Sequence, residues 1–151
     1  QRVLTFIYKN NEGLIPNQGI FNLEDKELMK NMNNANENII KYMKNYQITN
    51  ALEELWVIIR KSNAYVDEQA PWTLKKNDLD RMNTVLFVLA SIIKKVSLIA
   101  TNFVPIGANK ILDQLSISKV NRSYKNFDEE LIAGTKILKP EGVFPRLEMK
   151  E

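Results

Sequence analysis

Hydrophobic positions recur every three or four residues along most of the chain, which is the spacing of one face of an α-helix. The first such run covers residues 2–11 and ends before Gly13, which interrupts the pattern. A second run covers residues 28–46. Asn22 and Asp25 precede it with the spacing of a capping box, in which each side chain accepts a hydrogen bond from the other residue's amide. The pattern therefore predicts two helices in this part of the chain.

Two longer helices are predicted next. Residues 48–68 keep one apolar face, which Trp56 widens, and Pro71 ends the run because its ring removes a backbone donor. A second capping pair, Asn77 and Asp80, then opens the most strongly periodic run, which continues to residue 99. We expect this last helix to lie at the centre of the fold.

The pattern weakens towards the carboxyl end. Pro105 favours the start of a short helix, since a proline in the first turn has no amide to satisfy. Beyond Ser116 the chain is irregular, and its apolar residues favour a tail that folds back onto the helices: Ile137, Leu138, Val143, Phe144 and Leu147. The predicted fold is all-α, an antiparallel helical bundle of four to five helices with this tail packed back on it. Residues 1–151 form a single domain.

Composition narrows the chemistry. Hydrophobic residues make up 44% of the chain and charged residues 26%, as in ordinary globular domains. The absence of His and Cys excludes disulfides, structural zinc sites and catalytic pairs that need either residue. The long apolar stretch at 85–99 contains Lys94 and Lys95, so we do not expect it to span a membrane. Because the chain begins at Gln1, we expect a fragment or a processed product.

Charged residues give no recognisable catalytic set. The net charge of +3 permits a nucleic-acid partner without requiring one. Neighbouring carboxylates occur at Asp67 and Glu68, at Asp78 and Asp80, and at 128–130. Helix capping and solvated ion pairs explain them better than acid–base catalysis, since no phosphate loop or histidine accompanies them. We therefore expect no metal site and no catalytic residue.

An aromatic residue at a helix junction is the most informative single feature. Trp72 follows Pro71 directly, and the basic residues Lys75, Lys76 and Arg81 come soon after it. An exposed indole beside cations suits single-stranded nucleic acid, because a base stacks on the ring while the cations offset phosphate charge. The alternative is a tryptophan that only fills the gap between two helices.

Residues 63–72, NAYVDEQAPW, closely resemble the signature of the anticodon-binding domain of bacterial methionyl-tRNA synthetases. Eight further segments resemble the same family: 51–56, 59–61, 73–76, 81–83, 111–115, 134–137, 139–140 and 143–146. The resemblance covers most of the chain and is weakest at 23–42 and 116–128.

The resemblance implies a helical bundle of a class I synthetase that follows a catalytic Rossmann domain and reads the CAU anticodon of methionine tRNAs. Trp72 matches the family tryptophan that contacts the first anticodon base. Arg2 matches a family arginine whose asparagine partner would fall before Gln1. Pro71 and Asn63 belong to the signature and are the other candidate anticodon-binding residues, while Lys75, Lys76 and Arg81 are candidates for contacts with the tRNA backbone.

The same resemblance implies that ATP and methionine bind the catalytic domain, so we expect residues 1–151 to bind no cofactor. The expected partners are tRNA and the catalytic domain of the same chain, in a cytoplasmic monomer without a membrane partner. Two alternatives stay open. One is the anticodon-binding domain of a valyl, isoleucyl, leucyl or cysteinyl enzyme, and the other is a helical protein-interaction module that binds no RNA.

Overall fold

The computed structural model describes residues 1–144 and contains six α-helices in that range. They are α1 (Arg2–Asn10), α2 (Leu23–Lys44), α3 (Ile48–Gln69), α4 (Pro71–Asn77), α5 (Leu79–Ala100) and α6 (Pro105–Gln114); two 3-10 helices follow at Lys119–Asn121 and Tyr124–Asn126. Within 1–144 the only bridge of β type is an isolated antiparallel one between Leu14 and Lys136. The predicted all-α bundle is confirmed, and the short helix α4 is the element that the periodicity did not predict.

Helices α2 and α3 form a hairpin and pack against each other more extensively than any other two helices within residues 1–144. The capping box predicted at its start is present: the Asn22 amide donates to Asp25 Oδ2 at 3.0 Å, and the Asp25 amide donates to Asn22 Oδ1 at 2.9 Å. Tyr46 reverses the chain between the helices with a φ of 58° and is itself exposed. The hairpin buries Met32 and Ile58 in its interior.

Helix α5 lies at the centre, as predicted, and packs against α1, α2, α3, α4 and α6. Most of its residues are buried, because neighbours cover it on nearly every side. By length and composition it could cross a membrane, but 83% of its most apolar window is buried inside the fold. Its capping residue is Asp78, whose Oδ1 accepts from the Arg81 amide at 2.9 Å. The prediction that Asn77 caps this helix was therefore wrong by one residue.

Five apolar residues that the helical spacing places on buried faces are exposed instead: Met43, Tyr46, Ile48, Trp56 and Leu79. Met43 and Tyr46 lie at the carboxyl end of the second predicted run. Ile48 and Leu79 are each the first residue of a helix, where the neighbouring elements do not yet cover the side chain. Trp56 is 57% exposed because it lies on the side of α3 that also carries the exposed residues Glu53 and Arg60. The widened apolar face predicted for α3 was thus wrong at this position.

The irregular segment after α6 folds back onto the bundle, as predicted. Its residues 134–137 pair with the loop after α1 through backbone hydrogen bonds of 2.8 Å: Ile15 N to Thr135 O, Gly134 N to Ile15 O, and Ile137 N to Gly13 O. Of the apolar residues predicted to pack back, Ile137 is buried and Val143 is half-buried. Leu138 and Phe144 are exposed, so the prediction was wrong for these two side chains. Residues 145–151, which include Leu147 and part of the segment 143–146, lie outside the described residues.

Two lysines that interrupt the apolar run of α5 are almost fully buried. Lys94 Nζ donates to the carbonyls of Asn126 and Glu129, at 3.0 and 2.5 Å, and burial lowers its pKa. Lys95 Nζ contacts Asp128 Oδ1 at 3.3 Å and lies over the ring of Phe127. Both lysines therefore hold residues 126–129 against α5.

Candidate nucleic-acid interface

The junction between α3 and α4 presents Trp72. Ala70 adopts a left-handed conformation, with φ 42° and ψ 63°, which ends α3 and turns the chain. Pro71 follows as the first residue of α4, where its fixed φ suits a helix start, and it is buried. Leu74 packs against the core from the inner side of α4. Trp72, two residues from Leu74, consequently lies on the outer side and is 48% exposed.

The exposure of Trp72 distinguishes the two hypotheses for this residue, a stacking surface for a base and a side chain that fills the gap between two helices. A tryptophan that fills a gap between helices would be largely covered, whereas about half of this side chain is open to solvent. Part of the indole is therefore accessible to a stacking base. Trp72 lies on α4, whose first residue, Pro71, is buried in the fold. The position of the indole is therefore constrained by the packing of α4.

Lys75 and Lys76 lie three and four residues after Trp72, on the same side of α4, and both are exposed. They occupy the last turn of α4, where they also complement the negative end of the helix dipole. Neither forms an ion pair with another residue in the part of the chain that the structure describes. Both ammonium groups can thus reach a phosphate near the Trp72 ring.

Arg81 is bound by other side chains of the fold. Its Nη1 donates to Asp25 Oδ2 at 2.6 Å, and its Nη2 donates to Asp25 Oδ1 at 2.8 Å and to Gln69 Oε1 at 2.5 Å. The side chain is only 18% exposed. Because the guanidinium is already held from two sides, we do not assign it a contact with the tRNA backbone.

Asp25 is fully buried at the centre of this arrangement. Besides Arg81, its carboxylate accepts from the Tyr65 hydroxyl at 2.5 Å and from the Asn22 amide. Burial by itself would raise the pKa of Asp25, but the hydrogen bonds from Arg81, Tyr65 and Asn22 outweigh it and hold the pKa below its ordinary value. The pKa of Tyr65 is raised, first by burial and then by its bond to Asp25. Asn22, Tyr65, Gln69 and Arg81 therefore form a hydrogen-bond network around the Asp25 carboxylate, which stays ionised.

Two other candidate residues, Arg2 and Asn63, line one cleft of about 440 Å³. The cleft lies between α1, α3, α5, α6 and the tail, and its floor is apolar: Ile59, Val66, Leu89, Ile92, Val96 and Ile111. Arg2 and Asn63 are both exposed and stand where α1 and α3 border the cleft. Trp72 and Pro71 do not line it, so the structure places the predicted residues in two groups rather than one.

The carboxylate pairs gave no catalytic arrangement. Asp78 caps α5, and the exposed Asp128 pairs with Lys95. No group of His, Cys, Asp or Glu within residues 1–144 could hold a metal ion. What the sequence reasoning missed is the network around Asp25: the capping box drew attention to Asp25 and the signature contains Tyr65 and Gln69, but no local pattern links them to Arg81.

A family model described as the anticodon binding domain of methionyl tRNA ligase matches residues 15–151. The chain is 37% identical over 153 residues to a methionine–tRNA ligase of Rickettsia felis, covering 98% of this chain and 30% of the relative. A methionine–tRNA ligase of Brucella suis is 35% identical over 147 residues, which cover 97% of this chain and 28% of that protein. The chain thus spans less than a third of the length of these relatives.

The same similarity appears among solved structures. The apo form of Mycobacterium tuberculosis methionyl-tRNA synthetase superposes with a TM-score of 0.96 at 30% identity, covering 99% of this chain and 31% of that one. The complex of the M. tuberculosis enzyme with methionyl-adenylate gives a TM-score of 0.94 at 32% identity, over 97% of this chain and 30% of that one. Sequence and fold therefore point to the same family.

Proposed function

This chain belongs to the family of anticodon-binding domains of methionyl-tRNA ligases, and from that premise we propose that it reads the CAU anticodon of methionine tRNAs. The protein that contains it would then be an ATP-dependent methionine–tRNA ligase, whose catalytic domain binds ATP and methionine. We propose that this ligase acts in the cytoplasm as a monomer. The observation that carries the proposal is the half-exposed ring of Trp72, held at a fixed helix junction inside the family signature.

Trp72 supplies the stacking surface. An anticodon base that leaves the loop loses its stacking neighbours, and an accessible indole replaces them. Base–aromatic stacking contributes about 1–3 kcal/mol by alanine substitution. Pro71 contributes by position: it is buried as the first residue of α4 and sets the direction in which the ring leaves the bundle.

Arg2 and Asn63 supply polar groups in the 440 Å³ cleft that they line. An arginine offers five N–H donors, and an asparagine offers both donors and an acceptor, so together they can match the polar edge of a base such as cytosine. A well-placed bidentate contact discriminates between bases by about 1–3 kcal/mol in DNA recognition, and by analogy we propose a similar value for this contact. Lys75 and Lys76 would offset phosphate charge beside the ring.

The test uses the full-length ligase that contains this chain. Trp72→Ala should lower kcat/KM for tRNA with a CAU anticodon by about 5- to 150-fold, which corresponds to the loss of one stacking contact. Methionyl-adenylate formation, measured by ATP–pyrophosphate exchange, should stay unchanged, since that reaction needs no anticodon.

Trp56→Ala is the matched control because it removes the chain's second tryptophan, also exposed, from α3. We expect its effect on tRNA charging to be small. A parallel loss of adenylate formation in Trp72→Ala would show that Trp72 supports the fold instead. Efficient charging of a tRNA whose CAU anticodon is replaced by a valine or isoleucine anticodon would contradict the proposed specificity.

A further inference from the structure

A side-chain hydrogen bond joins a residue before α4, the short helix that carries Trp72, to a residue after it. Gln69 is the last residue of α3, and Arg81 is the third residue of α5. Their side chains meet through the hydrogen bond from Arg81 Nη2 to Gln69 Oε1, at 2.5 Å. The intervening chain, residues 70–80, contains all of α4, so this bond closes a loop around the helix that presents the indole.

The bond is anchored in the core. Arg81 Nη1 and Nη2 both donate to the carboxylate of Asp25, which is fully buried and also accepts from Tyr65 and from the Asn22 amide. A guanidinium that forms two parallel hydrogen bonds with one carboxylate has little rotational freedom, because the group is planar and both of its outer nitrogens are bound. The position of Arg81 is thereby set by the start of α2, and Arg81 in turn sets the position of Gln69.

The loop that the bond closes needs such support. α4 has seven residues, and an isolated helix of this length is unstable in water. Ala70, which joins α3 to α4, has a φ of 42°, and a residue other than glycine keeps this conformation only when its surroundings hold it. Gln69 is the residue immediately before Ala70. The hydrogen bond from Arg81 therefore acts where the direction of α4 is decided.

Gln69 can be separated from the stability of the core. It is only partly buried, and its loss leaves the ion pair of Arg81 and Asp25 and the bond from Tyr65 intact. Removing Asp25 or Arg81, in contrast, would leave a buried charge without its partner. Gln69 is thus the one member of the network through which positioning can be tested without unfolding the domain.

We propose that Gln69 is a positioning residue for anticodon recognition: its bond to Arg81 fixes α4 and holds the ring of Trp72 in the orientation that a base of the anticodon stacks on. This inference rests on the proposed function, since it assumes that Trp72 contacts the RNA. Pro71 and Leu74 also fasten α4, by burial. If they sufficed, the carboxamide of Gln69 would be dispensable for RNA binding.

The test again uses the full-length ligase, labelled with 5-fluorotryptophan so that the environment of each indole is read by fluorine NMR. The Trp72 resonance is assigned by its disappearance in Trp72→Phe. Gln69→Ala should move this resonance towards that of free 5-fluorotryptophan and raise the KM for tRNA by about tenfold, the cost of one lost hydrogen bond to a charged group. The kcat at saturating tRNA and the rate of adenylate formation should stay close to those of the wild type.

Two further variants separate positioning from stability. Gln69→Glu keeps an acceptor oxygen opposite Arg81 and should restore both the resonance and the KM. Lys61→Ala removes another side-chain bond of α3, the 3.0 Å contact from Lys61 Nζ to Asn31 Oδ1 on the exposed face, and should change neither.

An unchanged Trp72 resonance in Gln69→Ala would overturn the inference, and so would a lower melting temperature with an unchanged KM for tRNA. Failure of the proposed function is recognised separately. In that case Trp72→Ala itself leaves the KM for tRNA unchanged, whatever Gln69→Ala does to the resonance.

Discussion

Replacing Asp25 by asparagine should destabilise the fold strongly, because three helices share its charge. Oδ1 accepts from Tyr65 at 2.5 Å and from Arg81 Nη2 at 2.8 Å, while Oδ2 accepts from Arg81 Nη1 at 2.6 Å and from the Asn22 amide at 3.0 Å. All four partners are donors, and an amide group has only one acceptor oxygen. In Asp25→Asn, the NH₂ group therefore faces two donors, whichever oxygen it replaces, and both bonds are lost along with the charge.

The expected magnitude follows from the burial of the pair. Removing one partner of a buried ion pair costs about 3–5 kcal/mol. The Arg81 side chain keeps 18% of its surface exposed, so water can partly replace the lost carboxylate, and the lower end of this range applies. For a domain of this size, about 3 kcal/mol corresponds to a fall in melting temperature of roughly 6–12 °C.

Urea and thermal unfolding of the 151-residue chain, followed by circular dichroism at pH 7, measure both quantities. Asp67→Asn is the control, since it removes one exposed carboxylate from α3 with the same change in charge. We expect the control to change stability by less than about 0.5 kcal/mol. A loss of less than about 1 kcal/mol in Asp25→Asn, or a loss equal to that of the control, would refute the reasoning that the buried network stabilises the fold.

Two other perturbations test neighbouring features. Because the pKa of Asp25 is lower in the folded chain, its stabilisation is fully present above the unfolded value, about 3.9, and is lost as the pH falls through the folded pKa. Thermal unfolding measured between roughly pH 5 and pH 2 should therefore show a steep loss that Asp25→Asn flattens, and parallel curves for the two proteins would contradict this. Ala70→Gly should stabilise the chain by at most about 1 kcal/mol in urea unfolding, since glycine removes the strain of a φ of 42° but loses more entropy on folding. A destabilisation by more than about 1 kcal/mol would mean that the Ala70 methyl group packs usefully.

Local patterns predicted the parts of the fold that local physics decides. The capping box of Asn22 and Asp25 needs only residues three positions apart, and it is present as expected. The long apolar run of α5 likewise predicted a central helix. Trp56 shows where this reasoning ends: whether a residue at the edge of an apolar face is buried depends on which neighbours cover that face, and the spacing within α3 carries no such information.

The candidate site was predictable in its residue types but not in its connections. The signature located Trp72, while the seven residues of α4 were too few to show a helical period. Tyr65 and Arg81, the side-chain partners of Asp25 in other helices, lie 40 and 56 positions away from it, so no spacing along the chain indicated that Arg81 is bound to a carboxylate. A basic residue near the predicted RNA contact therefore suggested phosphate binding, whereas the fold uses it internally.

The hydrogen bonds of Arg81 to Asp25 and Gln69 link the stability of the fold to the proposed tRNA recognition by α4. The ring proposed to stack on the anticodon lies on a helix too short to be stable alone, and the nearest strong interaction is the ion pair between Arg81 and Asp25. Weakening that pair should loosen α4 before the rest of the bundle unfolds, because the α2–α3 hairpin and α5 keep their apolar contacts. Partial loss of the network is thus expected to impair tRNA recognition at temperatures where the helical content of the domain is still unchanged.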